Sequence, residues 1–386
     1  MSGEATATAV KDVREDVRML AAVRRASGRR VLVVSGVLVA VLVVLCVLAL
    51  MLGDRIVAPG DVVAAVFGQG KGGDVFVVQG LRLPRLTLAL LVGTCFGLAG
   101  AVFQSLLRNP LASPDIIGIS QGASAAAVGA ILLLGWSGIA VSFAAFGGAL
   151  LAAALITVLA GGFIGRGRAG VGSRFVLIGI ALAFLAQAAI GYMLTRADVR
   201  EAETALVWMV GSIGTVKPAE IVVTAVGALV LAVALAALAP RLRMLALGDE
   251  TATGLGVRVT PARLLLLVMG VGFAAIATAA AGPVAFVAFV SAPIARRLLG
   301  GRGPALVTSA LVGAVVVTGA DVIAQHAFPG FQAPVGIVTG IIGAPVLLVL
   351  LARGNRGKGV AWWARTARSQ DAGHAHSERG RRRGWR

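Results

Sequence analysis

Charged residues are scarce in this sequence. Only 13% of its 386 residues are Asp, Glu, Lys or Arg, while 58% are hydrophobic and the mean hydropathy is +0.93. A soluble globular domain of this length needs far more polar surface. The composition therefore excludes a soluble protein and predicts an integral membrane protein.

Cysteine and histidine are equally rare. The two cysteines, Cys46 and Cys95, lie in apolar runs, which excludes a disulfide framework. The three histidines, His326, His374 and His376, show no spacing typical of a ligand cluster, so we expect no metal site. No apolar run has an ionisable side chain near its middle, where ion-coupled carriers usually hold a coupling residue. This absence disfavours a secondary carrier and an intramembrane enzyme.

Two glycine-rich stretches look like nucleotide-binding motifs but lack the required context. GRGRAG at 165–170 lies between two apolar runs, with neither a preceding strand nor an acidic residue about 20 positions later. GQGKGGD near residue 70 has no glycine at the phosphate-binding-loop spacing. We therefore expect no ATP and no other cofactor to bind to this chain.

Ten apolar runs are present, each close to the roughly 20 residues that a helix needs to cross about 30 Å of hydrocarbon. They are 31–52, 86–106, 115–135, 142–164, 175–195, 219–239, 263–281, 283–299, 304–324 and 336–352. The eighth is short and contains Pro293, so we expect it to be kinked or to span only partly. The sequence thus predicts an all-α integral membrane protein with ten transmembrane helices.

Lysine and arginine are unevenly distributed. Residues 1–30 hold seven and residues 353–386 hold ten. If the amino terminus is cytoplasmic, eleven more lie in short inner loops and seven in outer segments. The positive-inside rule then predicts that both termini are cytoplasmic. We expect a transmembrane domain at 31–352, flanked by solvated, flexible basic tails near anionic lipid rather than by a nucleic-acid-binding face.

The stretch LRLPR at 81–85 places Arg82 and Arg85 on the outer face, against the charge bias. Pro84 suits the first turn of a helix. Arg85 would then lie at the positive end of the helix dipole, where a cation is mildly disfavoured. An acidic partner outside the membrane is the simplest compensation, and binding to lipid phosphates is the alternative.

The inner loop LGDETATGLGVRVTPAR at 247–263 is long enough for two short helices. Asp249 is able to cap the first of them. We expect the small residues Ala252 and Gly254 to expose a compact surface that fits the groove of a partner. A solvated turn is the alternative.

Glycine is abundant, at 52 residues, and several glycines are spaced for helix packing. Small residues four positions apart let two membrane helices approach closely. This spacing predicts helix contacts at three pairs, which are Gly93 with Gly97, Gly118 with Gly122, and Gly336 with Gly340.

Seven segments, in one collinear order across residues 55–352, together resemble the FecCD-type permeases of bacterial ABC importers for iron-siderophores, haem and cobalamin. The segments are RLPR (82–85), QSLLRNPLASPDIIGISQGA (104–123), WMVGS (208–212), LGDETATGLGV (247–257), GPVAFVAFV (282–290), GAD (319–321) and PVGIVTGIIGAP (334–345).

The resemblance implies a permease subunit in the cytoplasmic (inner) membrane that imports an iron(III)-siderophore complex. It implies a dimer with the same or a related permease, with the path at the subunit interface. Two cytoplasmic ATPase subunits would bind ATP and magnesium, and an extracytoplasmic binding protein or lipoprotein would deliver the cargo. Haem or cobalamin is the alternative cargo, and ion-coupled secondary transport is a less favoured alternative mechanism.

The resemblance also implies roles for residues. Arg82 and Arg85 would dock the binding protein through its carboxylates. The loop 240–262 would seat in the ATPase subunits through Gly248, Asp249, Glu250, Ala252, Leu255 and Gly256. Further motif or pathway candidates are Gln104, Asn109, Pro110, Gly118, Ser120, Gly122, Pro334 and Gly336. No catalytic residue is implied in this chain.

Three positions depart from the family pattern. Ala292-Pro293 stands where members often have Pro-His, and Gln325 stands where many have an arginine. Gln332 and Ala333 occupy the region of a usual acidic residue. Docking would then depend on two arginines per subunit, with help from His326 or from an arginine of the partner permease.

Overall fold

The structure is a computed structural model that describes the backbone of residues 2–161, 171–214, 217–301, 303–327 and 332–349. Side chains are described from residue 27 onward, except at 171–173. The GRGRAG loop and the carboxy-terminal tail at 353–386 lie outside the described residues. The chain divides into two compact units, 1–340 and 341–386, and of the second only the helical residues 341–349 are described.

Every regular element in the described ranges is helical. The α-helices are α1 (Ser2–Met51), α2 (Pro59–Val66), α3 (Gly72–Val75), α4 (Leu83–Leu106), α5 (Ile119–Leu134), α6 (Ile139–Leu159), α7 (Val171–Arg196), α8 (Val199–Val210), α9 (Pro218–Ala246), α10 (Asp249–Gly254), α11 (Val259–Ala281), α12 (Val287–Leu298), α13 (Leu306–His326) and α14 (Val335–Val349). A π-helical segment, Phe76–Arg82, joins α3 to α4.

Seven helical segments of the described chain are long and apolar enough to cross a membrane. They are Ser27–Met51, Gly72–Leu106, Ile139–Leu159, Arg174–Arg196, Pro218–Ala246, Val259–Ala281 and Leu306–His326. The third, eighth and tenth predicted spans coincide with the shorter helices α5, α12 and α14. The all-α membrane architecture is confirmed, while the count of ten spans stays a prediction.

The eighth predicted span contains a break. Its helix, α12, has 12 residues and is about 18 Å long at 1.5 Å per residue, too short to cross the hydrocarbon alone. Before it, the chain is non-helical from Gly282 to Phe286, and Phe286 has a left-handed φ of 65°. The eighth predicted span therefore begins with a short non-helical segment before α12.

Three other expectations need correction. The amino-terminal tail, expected to be flexible, is helical from Ser2 and continuous with the first span. The third predicted span starts at 115, but α5 starts at Ile119, because Gly118 directly before it has a left-handed φ of 88° that a continuous α-helix does not contain. The amphipathic helix α8 lies where the sequence predicts only an outer connecting segment.

The helix α4 lies at the centre of the first unit. Seventeen of its 24 residues are buried, and it packs against α9, α11, α12 and α13. The close contact with α13 depends on glycine. A Cβ at Gly93 would overlap the Gly313 carbonyl, and one at Gly97 would overlap the Ser309 carbonyl. This pair confirms the predicted close packing.

Of the other two glycine pairs, the first makes the predicted helix contacts with two different helices, and the second makes them only at Gly336. Gly118 lies against the Gly179 carbonyl of α7, whereas Gly122 lies against Gly148 and Ala152 of α6, so the pair does not contact a single helix. A Cβ at Gly336 would overlap the Val210 carbonyl. Among the described residues, no neighbouring atom lies within 4 Å of a Cβ built at Gly340.

Candidate functional sites at the two ends of α4

A polar cavity of about 470 Å³ lies at the amino-terminal end of α4. We call it the arginine cavity, because Arg55, Arg82 and Arg85 all line it. The ends of α1 and α13 and the segments around Ser212 and Gln332 complete the wall. The structure thus brings together five segments of the sequence.

Arg82 is engaged with the end of α1. One guanidinium nitrogen, Nη1, donates to the carbonyls of Leu50 (2.7 Å) and Met51 (3.0 Å), and Nη2 donates to the carbonyl of Arg55 (2.5 Å). The last carbonyls of a helix have no partner within the helix and carry partial negative charge. Arg82 therefore stabilises the carboxy-terminal end of α1.

Arg85 pairs with Asp321 of α13. Its Nε donates to both carboxylate oxygens at 3.1 Å, and its Nη2 donates to Oδ1 at 2.9 Å. Only 19% of the Arg85 side chain and 4% of the Asp321 side chain are exposed. Gln325 Nε2 donates to Oδ2 of Asp321 at 2.7 Å. The carboxylate is therefore held from two sides.

These contacts give Arg85 a partner different from the expected one. The acid that offsets Arg85 was expected on a partner outside the membrane, but Asp321 of the same chain supplies it. Gln325, which stands at the position of a family arginine, contacts Asp321 instead of adding charge. The role of Arg82 and Arg85 in docking stays a prediction.

Three family motifs meet beside the arginine cavity. Ser212, which lines the cavity, donates its backbone N–H to the Ala281 carbonyl at 2.8 Å. Gly336 donates its N–H to the Gly211 carbonyl at 3.1 Å. A Cβ at Gly282 would overlap the Trp208 carbonyl. The segments WMVGS, GPVAFVAFV and PVGIVTG therefore share one backbone junction, which Pro334 joins as the residue just before α14.

The other motif candidates lie away from this cavity and have structural contacts. Gln104 is buried and joins α4 to α12, because its Nε2 donates to the Phe289 carbonyl at 3.0 Å and its Oε1 accepts from Arg296. In the loop that follows α4, the Asn109 side chain accepts from the Leu111 N–H at 2.9 Å. Pro110 follows it directly, which keeps this loop from continuing α4.

Asp115 lies in the same loop and accepts a hydrogen bond from Ser120 Oγ at 2.5 Å. Burial raises the pKa of the Asp115 carboxyl, while hydrogen bonds from Ser120 and Ser113 act to lower it. Gly118, with φ of 88°, directly precedes α5. These contacts give the loop a defined shape at the start of α5.

The second candidate site is the short helix α10, near the carboxy-terminal end of α4. Asp249 is its first residue, and its carboxylate accepts from Arg263 Nη2 at 2.8 and 3.0 Å and from Arg108 Nη2. The side chain does not cap α10, so the predicted capping role is wrong. The position before it is Gly248, whose φ of 126° suits glycine.

The exposed surface of α10 also differs from the prediction. Ala252, expected on an exposed compact surface, is fully buried. Leu255 is 56% exposed and Leu247 is 68% exposed, and Glu250 is exposed between them in the sequence. We call Leu247, Glu250 and Leu255 the loop surface. Gly256, with φ of 82°, ends the turn that leads to α11.

Sequence reasoning did not single out Asp321 as the partner of Arg85, or Arg108 and Arg263 as partners of Asp249. The first pair is separated by 236 positions, and Arg108 and Asp249 by 141. The one signal available was the presence of these charges at the ends of apolar runs, where a charge requires a partner or water.

Comparison with known proteins supports a transport role. The FecCD transport family matches residues 41–353. The ferric enterobactin transport system permease protein FepG of Escherichia coli K12 is 37% identical over 332 residues, covering 86% of this chain and 99% of FepG. FepD, a permease protein of the same system in the same organism, is 34% identical over 333 residues, covering 85% of this chain and 97% of FepD.

A solved structure is also similar. A protein described as a metal-chelate type ABC transporter in an inward-facing conformation aligns with a TM-score of 0.73 at 26% identity, covering 83% of this chain and 98% of that chain. The family match covers most of the sequence and the solved structure shares the helical architecture. This chain belongs to the FecCD transport family and is a multi-pass protein of the cytoplasmic membrane.

Proposed function

We propose that this chain is the permease subunit of an ATP-driven importer that moves an iron(III)-siderophore complex inward. The observation that supports this most is the similarity to FepG over 99% of that protein's length. Both FepG and FepD are named for ferric enterobactin, an iron chelate. A cargo that is selected elsewhere needs only a wide and weakly attractive conduit, which agrees with the lack of ionisable groups in the middle of the apolar runs.

The arginine cavity is the proposed docking face for an extracytoplasmic binding protein. Arg55, Arg82 and Arg85 bring three cations to this end of the bundle. Asp54 and Asp321 also line the cavity and bring two anions. Arg55 has 60% of its side chain exposed and pairs with Asp74 at 3.0 Å. Arg82 donates to backbone carbonyls rather than to a carboxylate, so its positive charge would attract the surface carboxylates of a partner to this end of the bundle.

The loop surface is the proposed contact for a cytoplasmic ATPase subunit. Leu247 and Leu255 expose apolar side chains around α10, and apolar side chains are typical of the buried centre of a protein interface. The orientation with both termini inside would place α10 in the cytoplasm. ATP hydrolysis would then occur on the partner chain, and this chain would carry out no covalent step.

A second permease subunit completes the proposed assembly. This chain is similar to both FepG and FepD, two permease proteins of one system. That similarity suits a partner of the same fold, either an identical chain or a related one. ATP binding would draw the two loop surfaces together, and the packed helices would convey the motion to the gates by rigid-body rearrangement.

Transport into vesicles tests the proposal. The complex purified through this chain is placed in lipid vesicles with ATP inside, and binding protein is added outside together with radioactive ferric enterobactin, ferric citrate, haem or cobalamin. We expect iron-siderophore uptake that requires ATP and stops with a non-hydrolysable analogue. Uptake driven by an ion gradient without ATP would overturn the importer proposal, and uptake of haem or cobalamin alone would overturn the cargo.

A further inference from the structure

Arg108 connects the ends of three helices. It lies two residues beyond α4, where its left-handed φ of 49° ends the helical path. Its Nη2 and Nε donate to the Leu245 carbonyl near the end of α9, at 2.9 and 3.2 Å. Its Nη2 also donates to the Asp249 carboxylate at the start of α10. One guanidinium therefore bonds to α9 and α10 from the end of α4.

Asp249 brings in a fourth helix. Its carboxylate also accepts from Nη2 of Arg263, a residue of α11, at 2.8 and 3.0 Å. We call Arg108, the Leu245 carbonyl, Asp249 and Arg263 the Asp249 cluster. Gly248 lies in the link between α9 and α10 and has a φ of 126°. Because glycine is conformationally permissive, the orientation of α10 depends on these side-chain contacts as well as on the chain path.

The cluster is better suited to positioning than to stabilising the fold. The side chains of Arg108 and Asp249 are 43% and 44% exposed. Ion pairs this accessible to water contribute little to folding stability. A guanidinium that bonds to two acceptors on different helices nevertheless restricts their relative geometry, since its donors lie in a fixed plane. Loss of the contact should therefore change the position of α10 without unfolding the protein.

α4 connects this cluster to the arginine cavity. It is 24 residues long, buried over most of its length, and spans about 36 Å at the helical rise. Arg85 in its first turn holds Asp321 of α13, and Arg108 just beyond its last turn holds Asp249 of α10. A packed helix moves as a unit, so a displacement at one end reaches the other.

We propose that Arg108 is a positioning residue that fixes α10 to the end of α4, so that displacement of α10 by a cytoplasmic motor is transmitted along α4 to the arginine cavity. The proposal rests on the proposed function of ATP-driven import. It adds a named connection between the loop surface and the opposite end of the bundle.

The test is Arg108→Gln in the complete complex in vesicles, with radioactive ferric enterobactin and ferric citrate as probes. The expected result is that ATP is still hydrolysed while iron transported per ATP falls by about tenfold, a typical size for coupling between two sites. Hydrogen exchange of the α10 amides should rise, and the melting temperature should stay close to that of the parent.

Three further variants separate positioning from a general loss of charge. Arg174→Gln removes an exposed arginine near the start of α7, outside the loop 240–262, and should leave transport per ATP unchanged. Arg108→Lys keeps the charge but not the planar fork, and should restore only part of the coupling. Arg108→Gln combined with Asp249→Asn should lose less than the sum of the two single effects, since both remove the contact between Arg108 and Asp249. The further loss from Asp249→Asn reports its separate bonds to Arg263.

Unchanged transport per ATP in Arg108→Gln would overturn the proposal, as would full additivity of the two substitutions. If the parent complex shows no ATP-dependent uptake, the proposed function itself fails. Hydrogen exchange then still decides the structural part, because protection of α10 that is equal in parent and Arg108→Gln would show that Arg108 does not position α10.

Discussion

Arg85 and Asp321 form a three-bond pair that joins the first turn of α4 to the last turns of α13. The pair offsets a cation at the amino-terminal end of a helix, where the helix dipole opposes it. It also fixes one wall of the arginine cavity, because both side chains line that cavity. Arg85, a positive charge on the predicted outer face, is thus balanced by Asp321 of the same chain.

Removing only one partner of this pair should destabilise the protein. In Asp321→Asn the mostly buried guanidinium of Arg85 loses its counter-charge, which should lower the free energy of unfolding by on the order of 3 kcal/mol. Thermal unfolding in detergent measures the effect. The double variant Arg85→Gln with Asp321→Asn should be closer to the parent. Equal stability of Asp321→Asn and the parent would contradict a structural role for the pair.

Substitutions of the same two residues test docking, because they should change the association rate of the binding protein in opposite directions. Arg85→Gln removes a cation from the cavity and should slow association of the binding protein by about tenfold at low salt. Asp321→Asn removes an anion and should speed association, although it breaks the same pair. Surface plasmon resonance at two salt concentrations measures both rates, and the difference should shrink at high salt. Slower association in both variants would indicate damage to the fold rather than a docking role.

Two substitutions, one at Leu255 directly after α10 and one at Ala252 within it, distinguish the exposed surface from the buried side. Leu255→Asp adds a charge to the loop surface and should reduce ATPase binding while the melting temperature stays near that of the parent. Ala252→Asp places a charge at a fully buried position and should destabilise the protein by several kcal/mol. Co-purification of the ATPase and thermal unfolding provide the two measurements. Normal ATPase binding by Leu255→Asp would remove the loop surface from the proposal.

Two glycines of α14, Gly336 and Gly340, test the backbone junction beside the arginine cavity. In Gly336→Ala the new methyl group meets the Val210 carbonyl, so the backbones must separate, and we expect a loss of about 1–3 kcal/mol in stability. Gly340→Ala is the matched control, since it lies one turn later in open space and alanine favours a helix. Equal melting temperatures for the two variants would show that the close approach at Gly336 is not needed.

The sequence by itself determined the membrane architecture. Apolar runs of about 20 residues, and the distribution of lysine and arginine around them, are local properties that do not depend on which helices are neighbours. Seven of the ten runs fall on helices long enough to cross a membrane, and the other three fall on shorter helices. The collinear motifs likewise identified the family before any contact was known.

Only the tertiary structure decided which charges meet and which small residues are covered. The spacing of residues along a helix fixes the face on which they lie, but not the helix that packs against that face. Arg85 therefore pairs with an acid that lies 236 positions later in the sequence. Asp249 accepts hydrogen bonds from Arg108 and Arg263 and does not cap a helix. Ala252 is buried while Leu255 is exposed because α10 is held against the bundle, a placement that arises from long-range contacts.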